Sequence, residues 1–247
     1  MSKNLLSIIV PTLNEEKYLP ILLSSLENQT IKNFEVIIVD GNSKDATKIA
    51  ALRFKSKLDV KFFENNKGNP AGQRNFGAGK ATADYLFFLD ADYKVPQNFI
   101  EEVSKTIQKT NADVIITHSS PYTKRIFWKM YYKFANLWVY PLYVLRIPFA
   151  VGPPLCIKKE AFGKIGGYDE TIFVYEDQEI VRQSFRNKFK IVYAKNIKVF
   201  FSDRREVKEG ILRFLLKNAF ASLHVIFLGP VRKKIYKYDM GGQEYKK

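Results

Sequence analysis

Cysteine and histidine are scarce in this 247-residue sequence, which has one cysteine and two histidines. Because Cys156 stands alone, a disulfide within the chain and a thiolate zinc site are both excluded. His118 and His224 are too few for a multi-histidine metal centre, and they leave little from which to build a Ser-His-Asp triad. Catalytic chemistry in this chain therefore falls mainly to carboxylates.

Acidic residues are also few, 25 against 40 basic ones, so the formal net charge is +15. The imbalance is local. Residues 1–120 are nearly neutral, with 15 basic and 14 acidic side chains, and residues 151–185 are slightly acidic, with four basic and six acidic ones. The excess of basic residues lies in 121–150, with five basic and no acidic side chains, and in 186–247, with 16 basic and five acidic ones. With 46% hydrophobic residues, this distribution indicates a folded chain rather than a disordered polycation. The length suits one large α/β domain or two small ones.

Long apolar runs are missing as well. The first run, residues 5–10, is too short for a secretory signal and lacks a small-residue cleavage pattern, which favours a cytoplasmic protein. A second run, 137–151, is interrupted by Pro141, Arg146 and Pro148, whereas a membrane span needs about 20 apolar residues. The sequence therefore predicts no spanning helix.

The first 120 residues alternate between strand and helix patterns. Strands are predicted at 5–11, 34–40, 60–64, 85–90 and 113–118, with helices at 15–29, 44–57, 71–81 and 96–109. This alternation predicts an α/β fold with a mostly parallel sheet covered by helices on both faces. Further on, the pattern indicates a turn-rich segment at 152–169, a helix from 176, short strands at 190–194 and 197–202, and a long helix at 205–228.

Polar residues stand at the ends of three of the predicted strands, at 12–15, 40–43 and 90–92. Ligands of such sheets bind outside the carboxyl ends of the strands, so we expect these residues in one crevice. Asp90 and Asp92 suit a hard divalent cation, although such a pair is more often solvated or capping. Asp40 suits a nucleobase or ribose donor, although with its neighbours it also fits a turn that caps the next helix.

A further carboxylate pair, Glu176 and Asp177, opens a predicted helix. Acidic residues are common at the start of a helix because they cap it and interact favourably with the helix dipole. The alternative interpretation is that one of the two carboxylates is a general base that acts on an acceptor hydroxyl. Arg182 and Arg204 lie further along, and guanidinium groups suit phosphate recognition, although most arginines are only surface charges.

Six segments together resemble the family 2 glycosyltransferases in order and spacing, over about residues 5–203; they are 7–15, 36–47, 71–77, 86–92, 166–170 and 176–177. The resemblance implies a GT-A fold, in which a nucleotide-binding α/β domain is fused to an acceptor-binding part. It also implies transfer of a sugar from a nucleotide-sugar with inversion at the anomeric carbon. The expected division is a catalytic domain at 1–203, with a donor half at 1–120 and an acceptor half at 121–203, followed by a basic amphipathic helix and tail at 204–247.

The resemblance also implies roles for individual residues. The nucleotide-sugar is expected to contact Pro11, Thr12, Glu15, Asp40, Arg74, Asp90 and Asp92. Asp92 and Asp90 are the expected ligands of Mg²⁺ or Mn²⁺, and Asp177 is the expected catalytic base. Glu176, Arg182 and Arg204 are expected near the acceptor or the diphosphate.

Two features depart from the family pattern. A histidine that many members use as a metal ligand is absent near the last strand, where Asp203 is the alternative oxygen ligand. The Gln-x-x-Arg-Trp motif of processive members is also missing, which favours a single sugar addition over polysaccharide synthesis.

Residues 121–150 contain ten aromatic residues, and the helix at 205–228 is rich in large apolar ones. The helix either packs on the sheet or lies in a membrane interface, where aromatic and basic side chains are favoured. The second interpretation predicts peripheral attachment to the cytoplasmic leaflet and a lipid-linked acceptor, either a polyprenyl phosphate or a lipid-linked saccharide. A soluble acceptor is the alternative.

Other classes of protein share parts of this pattern. A nucleic-acid-binding protein would use the basic aromatic half but leaves Asp90, Asp92 and Asp177 without a role. A dinucleotide-dependent dehydrogenase would need a Gly-x-Gly-x-x-Gly turn after the first strand, and none is present. An inactive protein with a transferase fold is a further alternative.

Overall fold

The computed structural model describes residues 4–65, 69–144, 154–172 and 175–232. Its strands are β1 (Leu6–Thr12), β2 (Phe34–Asp40), β3 (Val60–Glu64), β4 (Tyr85–Phe88), β5 (Tyr93–Lys94), β6 (Val114–Pro121), β7 (Leu155–Lys158) and β8 (Ile191–Phe201). Its helices are α1 (Leu19–Glu27), α2 (Thr47–Leu52), α3 (Pro70–Lys80), α4 (Phe99–Thr110), α5 (Ile126–Val144), α6 (Lys159–Lys164), α7 (Glu176–Arg186), α8 (Arg204–Glu209) and α9 (Ile211–Leu228).

The strands form one mixed sheet in the order β3-β2-β1-β4-β7-β6-β8-β5. β3, β2, β1 and β4 pair in parallel, as do β6 and β8, whereas β7 runs antiparallel to both of its neighbours and β5 antiparallel to β8. The predicted α/β fold with a largely parallel sheet is confirmed. The parallel strands place the carboxyl ends of β1, β2 and β4 at one edge.

Helices cover both faces of the sheet, which explains why every residue of β1, β2 and β4 is buried. Successive side chains of a strand point to opposite faces. Ile8 and Val10 therefore pack in one core with the apolar side of α1, while Ile9 packs in a second core with residues of α3 and α7. The two cores hold the sheet between helical layers.

Several predicted boundaries are wrong for local reasons. The long helix at 205–228 is interrupted at Gly210, whose φ of 77° lies in the left-handed region that ends helices. The two strands at 190–194 and 197–202 form the single strand β8, opposite a register shift between Thr117 and His118 of β6. The segment at 152–169, expected to be turns, contains β7 and α6.

The aromatic stretch forms α5, with Pro141 inside the helix. None of the described helices is long and apolar enough to cross a membrane. The expected interruptions at Arg146 and Pro148, and the basic tail from residue 233 onward, lie outside the described residues.

Candidate active site

Asp40 ends β2 beside the end of β1 and is buried among polar partners. Its Oδ1 accepts a hydrogen bond from Thr12 Oγ1 at 3.0 Å, and its two oxygens accept from the Ser43 hydroxyl at 2.5 Å and the Ser43 amide at 2.8 Å. The turn interpretation of Asp40 therefore describes its local geometry. A nucleobase contact would be made next to these bonds, where Thr12 and Gly41 line a cavity.

Gln73 on α3 holds the ends of β1 and β2 together. Its side-chain amide donates to the carbonyl oxygens of Thr12, at 2.9 Å, and Val39, at 3.0 Å. The same nitrogen would lie 2.7 Å from a Cβ placed on Gly41, so glycine is required there for the close approach. Gln73 was not predicted from the sequence, although its position directly before Arg74 in a matching segment was an available signal.

Arg74 is the buried centre of a charge cluster, with 5% of its own surface exposed. Its two terminal nitrogens donate to Glu176 Oε1 at 2.6 Å and to Asp90 Oδ1 at 2.7 Å, and its guanidinium lies 5.3 Å from the centre of the Tyr168 ring. Burial alone would lower the pKa of Arg74, but Asp90, Asp177 and Glu176 raise it well above its ordinary value. The cluster is therefore built around a permanent positive charge.

Asp177 lies in the first turn of α7, and its Oδ1 accepts a hydrogen bond from the Tyr168 hydroxyl at 3.0 Å. Burial is the main cause that raises the pKa of Asp177 to about 7; Arg74 opposes this rise, while the charges of Glu176 and Asp90 add to it. A carboxylate that titrates near neutral pH, within an oriented site, has the properties of a general base.

Arg204, the first residue of α8, joins two other predicted site residues. Its terminal nitrogens donate to both oxygens of Glu15, at 2.7 and 2.8 Å, and its Nε lies 3.0 Å from Asp92 Oδ2. The guanidinium also lies 4.4 Å from the centre of the Tyr18 ring. Burial is the main cause that raises the pKa of both Glu15 and Asp92.

Two adjoining cavities open at this edge of the sheet. The first has a volume of about 300 Å³ and is lined by Pro11, Thr12, Glu15 and Arg204, among others. The second, of about 580 Å³, is lined by Asp92 and Asp177, together with aromatic residues of α5 and α9. Both cavities share Arg74, Asp90, Glu176 and Arg205, so the Arg74 cluster stands where they meet.

Arg182 and Asp203 are not brought into this cluster. Arg182 pairs with Glu179, Nε to Oε2, at 2.7 Å, and Asp203 accepts a hydrogen bond from the Thr123 hydroxyl. Within the described ranges, neither residue lines either of the two cavities. Glu206, by contrast, lines the second cavity, and sequence reasoning missed it because it reads as one polar position of an amphipathic helix.

Among the described residues, no group of three or more His, Cys, Asp or Glu side chains has a metal-binding arrangement. Asp90 pairs with Arg74 through Oδ1 and Asp92 pairs with Arg204 through Oδ2, so each ion pair involves one carboxylate oxygen and leaves the other outside it. Mg²⁺ is commonly held by one or two carboxylates, a diphosphate and water. The two aspartates fit an ion of that kind.

Residues 7–166 of this chain match a known family, Glycosyl transferase family 2. This chain belongs to that family. An uncharacterized glycosyltransferase from Haemophilus influenzae is 33% identical over 181 residues, which are 72% of this chain and 60% of the relative. The resemblance noted in the sequence is therefore confirmed.

Other relatives match a shorter part of this family 2 chain. The poly(ribitol-phosphate) beta-N-acetylglucosaminyltransferase TarS of Staphylococcus aureus is 33% identical over 114 residues, 44% of this chain but 20% of TarS. The chain thus spans about a fifth of the length of that relative. A GalNAc(5)-diNAcBac-PP-undecaprenol beta-1,3-glucosyltransferase from Campylobacter jejuni is 35% identical over 109 residues, 43% of this chain and 34% of the relative.

Two solved structures share the fold. S. aureus TarS 1–349 in complex with UDP superposes with a TM-score of 0.68 at 20% identity, covering 90% of this chain and 72% of that one. The mannosyltransferase PcManGT of Pyrobaculum calidifontis, in complex with GDP-Man and Mn²⁺, gives 0.67 at 19% identity, covering 87% and 60%. At these identities the likeness concerns the fold alone, and it confirms the GT-A fold expected for this chain.

Proposed function

We propose that this chain transfers a single sugar from a nucleotide-sugar to an acceptor, with inversion at the anomeric carbon. The observation that carries the proposal is the Arg74 cluster, which stands between two cavities and includes a carboxylate whose pKa is about 7. Such a site suits a reaction in which each cavity binds one substrate and a base between them removes a proton from the acceptor. TarS structures that contain UDP or UDP-GlcNAc, and the GDP-Man complex of PcManGT, lend support.

The first cavity is the proposed donor site. Four arginines line it: Arg74, Arg204, Arg205 and Arg232. Guanidinium groups bind phosphate oxygens through paired hydrogen bonds, so a nucleoside diphosphate fits this lining. The nucleoside would lie towards Thr12 and Gly41, beside Asp40. Residues 1–120 would thus supply most of the donor half, and 121–203 much of the acceptor half.

We propose Asp90 and Asp92 as ligands of a Mg²⁺ or Mn²⁺ ion. When bound, the ion would neutralise charge on the departing diphosphate. Asp203 would have to exchange its bond with Thr123 to join them. Arg182 would likewise have to leave Glu179 to reach an acceptor.

Asp177 is the proposed catalytic base. It would take the proton of an acceptor hydroxyl while that oxygen attacks the anomeric carbon, on the face opposite to the diphosphate. The hydrogen bond from Tyr168 orients the carboxylate, and the pairing of Glu176 with Arg74 fixes the start of α7. Because the pKa is about 7, roughly half of the base is ionised at neutral pH.

A thermal-shift panel of UDP-, GDP- and other nucleotide-sugars, with and without Mn²⁺, tests donor binding, since a ligand of the folded state raises its apparent stability. Turnover of the stabilising donor then tests catalysis. We expect Asp177→Asn to lose turnover while it retains nucleotide binding, and the control Asp59→Asn, at an exposed position before β3, to retain both. The proposal is contradicted if no nucleotide stabilises the protein, or if Asp177→Asn is fully active.

The acceptor is proposed to be lipid-linked, because the second cavity adjoins an exposed apolar surface. This surface consists of the outer sides of α5 and α9, which pack together through Trp128 and Phe214, with ring centres 5.2 Å apart. Phe134 lines the cavity and yet is 61% exposed, and Leu212 and Leu216 are 72% and 62% exposed one turn apart on α9. An apolar tail of an acceptor would follow this surface away from the site.

We further propose that the α5–α9 surface rests on the cytoplasmic leaflet, where aromatic and basic side chains are favoured. The Campylobacter relative, named for an undecaprenol-linked substrate, supports a lipid-linked acceptor. Flotation with anionic vesicles at low salt tests attachment. Changing both Leu212 and Leu216 to Glu is expected to reduce binding more than tenfold, since each buried leucine contributes about 1.5–3 kcal/mol.

The matched control changes both Ile49 and Leu52 to Glu, which introduces the same two charges at exposed apolar positions of α2. This variant is expected to float like the unmodified protein. A chain that stays wholly in the soluble fraction with anionic vesicles would contradict membrane attachment without affecting the proposed chemistry.

A further inference from the structure

The two cavities differ in charge. In the first, four arginines face four carboxylates, whereas in the second, six carboxylates face three basic side chains. Ion pairs occur within both linings, such as Arg204 with Glu15 in the first and Lys217 with Glu209 at 2.6 Å in the second, so the difference lies in the numbers of charged groups. A phosphate group entering the second cavity would meet an excess of negative charge, which is unfavourable at short range.

Glu206 of α8, one of these carboxylates, has an incomplete set of hydrogen bonds. It is 4% exposed, and one oxygen accepts a hydrogen bond from the Tyr132 hydroxyl at 2.6 Å. Its other oxygen, Oε2, is buried and has no hydrogen-bond partner among the described residues. Leaving a buried acceptor without a partner is costly, so such groups in native proteins call for an explanation. Because Glu206 lines the second cavity, a turn of its side chain towards that cavity would let a ligand hydroxyl supply the missing bond.

Aromatic rings form much of the remaining wall. The Tyr132 ring packs against Phe201 with centres 4.8 Å apart, and Tyr131 and Phe214 also line the cavity. Apolar and aromatic walls with a few placed polar groups are typical of sites for uncharged organic ligands.

We infer that the second cavity takes a neutral, hydroxyl-bearing head group, such as a sugar or polyol, rather than a phosphate, and that Glu206 binds one of its hydroxyls. This inference rests on the proposed function and narrows it. The linked acceptor is then a saccharide or polyol carrier rather than a polyprenyl phosphate.

The chemistry agrees with a hydroxyl acceptor. The hydroxyl oxygen forms a bond to the anomeric carbon, and its proton passes to Asp177. The bond from that carbon to the diphosphate oxygen breaks, and its electron pair leaves with the nucleoside diphosphate. A phosphate acceptor would arrive with its oxygen already ionised, so a base beside the same cavity would have no proton to remove.

The test compares n-hexyl β-D-glucoside with n-hexyl phosphate, which share a tail and differ in head group. Binding to the full chain is measured by saturation-transfer NMR and calorimetry, with UDP present. We expect the glucoside to bind at least about tenfold more tightly than the phosphate. Glu206→Leu should weaken glucoside binding about tenfold, the loss of one hydrogen bond to a charged group.

Two further variants and one further measurement identify the cause. Glu206→Gln keeps a polar group that can donate to a hydroxyl, so we expect a loss of no more than about threefold. Glu160→Leu, at a side chain that is 76% exposed on α6, is the control for loss of charge and should change nothing. UDP affinity should be the same in all variants, because Glu206 does not line the first cavity.

Equal or tighter binding of the phosphate would overturn the inference. Unchanged glucoside affinity in Glu206→Leu, or no glucoside binding by a protein that binds UDP, would overturn it as well. Failure of the unmodified protein to bind any nucleotide would instead contradict the proposed function.

Discussion

Asp177→Asn is expected to make the protein more stable at alkaline pH while it removes catalysis. The substitution keeps an oxygen that can accept the hydrogen bond from the Tyr168 hydroxyl. It removes a negative charge that burial disfavours, and Arg74 retains its ion pairs with Asp90 and Glu176. The variant therefore measures how much the charge of Asp177 reduces stability, and it does so independently of the role of Asp177 in catalysis.

The size of the effect follows from the pKa. Folding raises the pKa of Asp177 from 3.8 to about 7, mainly through burial. Each pKa unit corresponds to about 1.4 kcal/mol, so ionising this group in the folded protein costs up to about 4 kcal/mol above neutral pH. The amide itself is costly to bury, which reduces the expected gain in the free energy of unfolding to about 1–3 kcal/mol.

The sign of the pH dependence is fixed by the same shift. A raised pKa favours the neutral acid in the folded state, so the contribution of Asp177 to stability is present at low pH and is lost as the pH rises through about 7. The variant and the unmodified protein should thus differ little near pH 4. Their difference should grow towards neutral pH and stay constant above about pH 8.

Urea unfolding followed by circular dichroism at several pH values measures this difference. Asp169→Asn is the matched control: although burial opposes it, hydrogen bonds from Thr171 and the ion pair with Arg232 lower the pKa of Asp169, so its replacement should reduce stability at about pH 8. An Asp177→Asn protein that is less stable than the unmodified one, or whose gain does not depend on pH, would refute the reasoning.

Three further predictions concern rate and packing. Because the base must be ionised, kcat/KM should fall about tenfold between pH 8 and pH 6, with an apparent pKa close to the value of about 7 for Asp177. Gly77→Ala should reduce the free energy of unfolding in urea by about 1–3 kcal/mol, because its Cβ would lie 2.6 Å from a methyl of Ile9. The control Gly79→Ala, with open space around it, should not destabilise α3. Glu35→Gln should cost about 2–3 kcal/mol at neutral pH, and progressively less as the pH falls towards 2. Although burial opposes it, hydrogen bonds from Lys61, the Ser7 hydroxyl and the amide and hydroxyl of Thr82 lower the pKa of this carboxyl to about 2.

The parallel half of the sheet was predictable because each strand is a continuous apolar run between turn residues. The predicted bounds 34–40 and 60–64 are those of β2 and β3. β7, by contrast, is four residues long and lies antiparallel between β4 and β6. Its pairing depends on strands distant in the chain, which no local pattern encodes. The helix break at Gly210 was not predictable either, because a single glycine is also tolerated inside a helix.

The site was predictable where strand ends determine it. Thr12 and Asp40 end buried strands and Asp90 follows one, and the parallel pairing brings those ends together. The partners of these residues were not predictable. Glu206 bonds to Tyr132, 74 positions away, and only the packing of α5 beside α8 brings them into contact.

The bond between Arg204 and Glu15 joins residues 189 positions apart, and the same arginine contacts Asp92. During synthesis on the ribosome, the β1–β4 sheet has all its strands long before residue 204 leaves the exit tunnel. Until Arg204 emerges, the buried carboxylates of Glu15 and Asp92 lack their positively charged partner. Contacts between residues so far apart in the chain also form slowly. We therefore expect the donor cavity to be the last part of the fold to form, on a nascent chain whose sheet is already assembled.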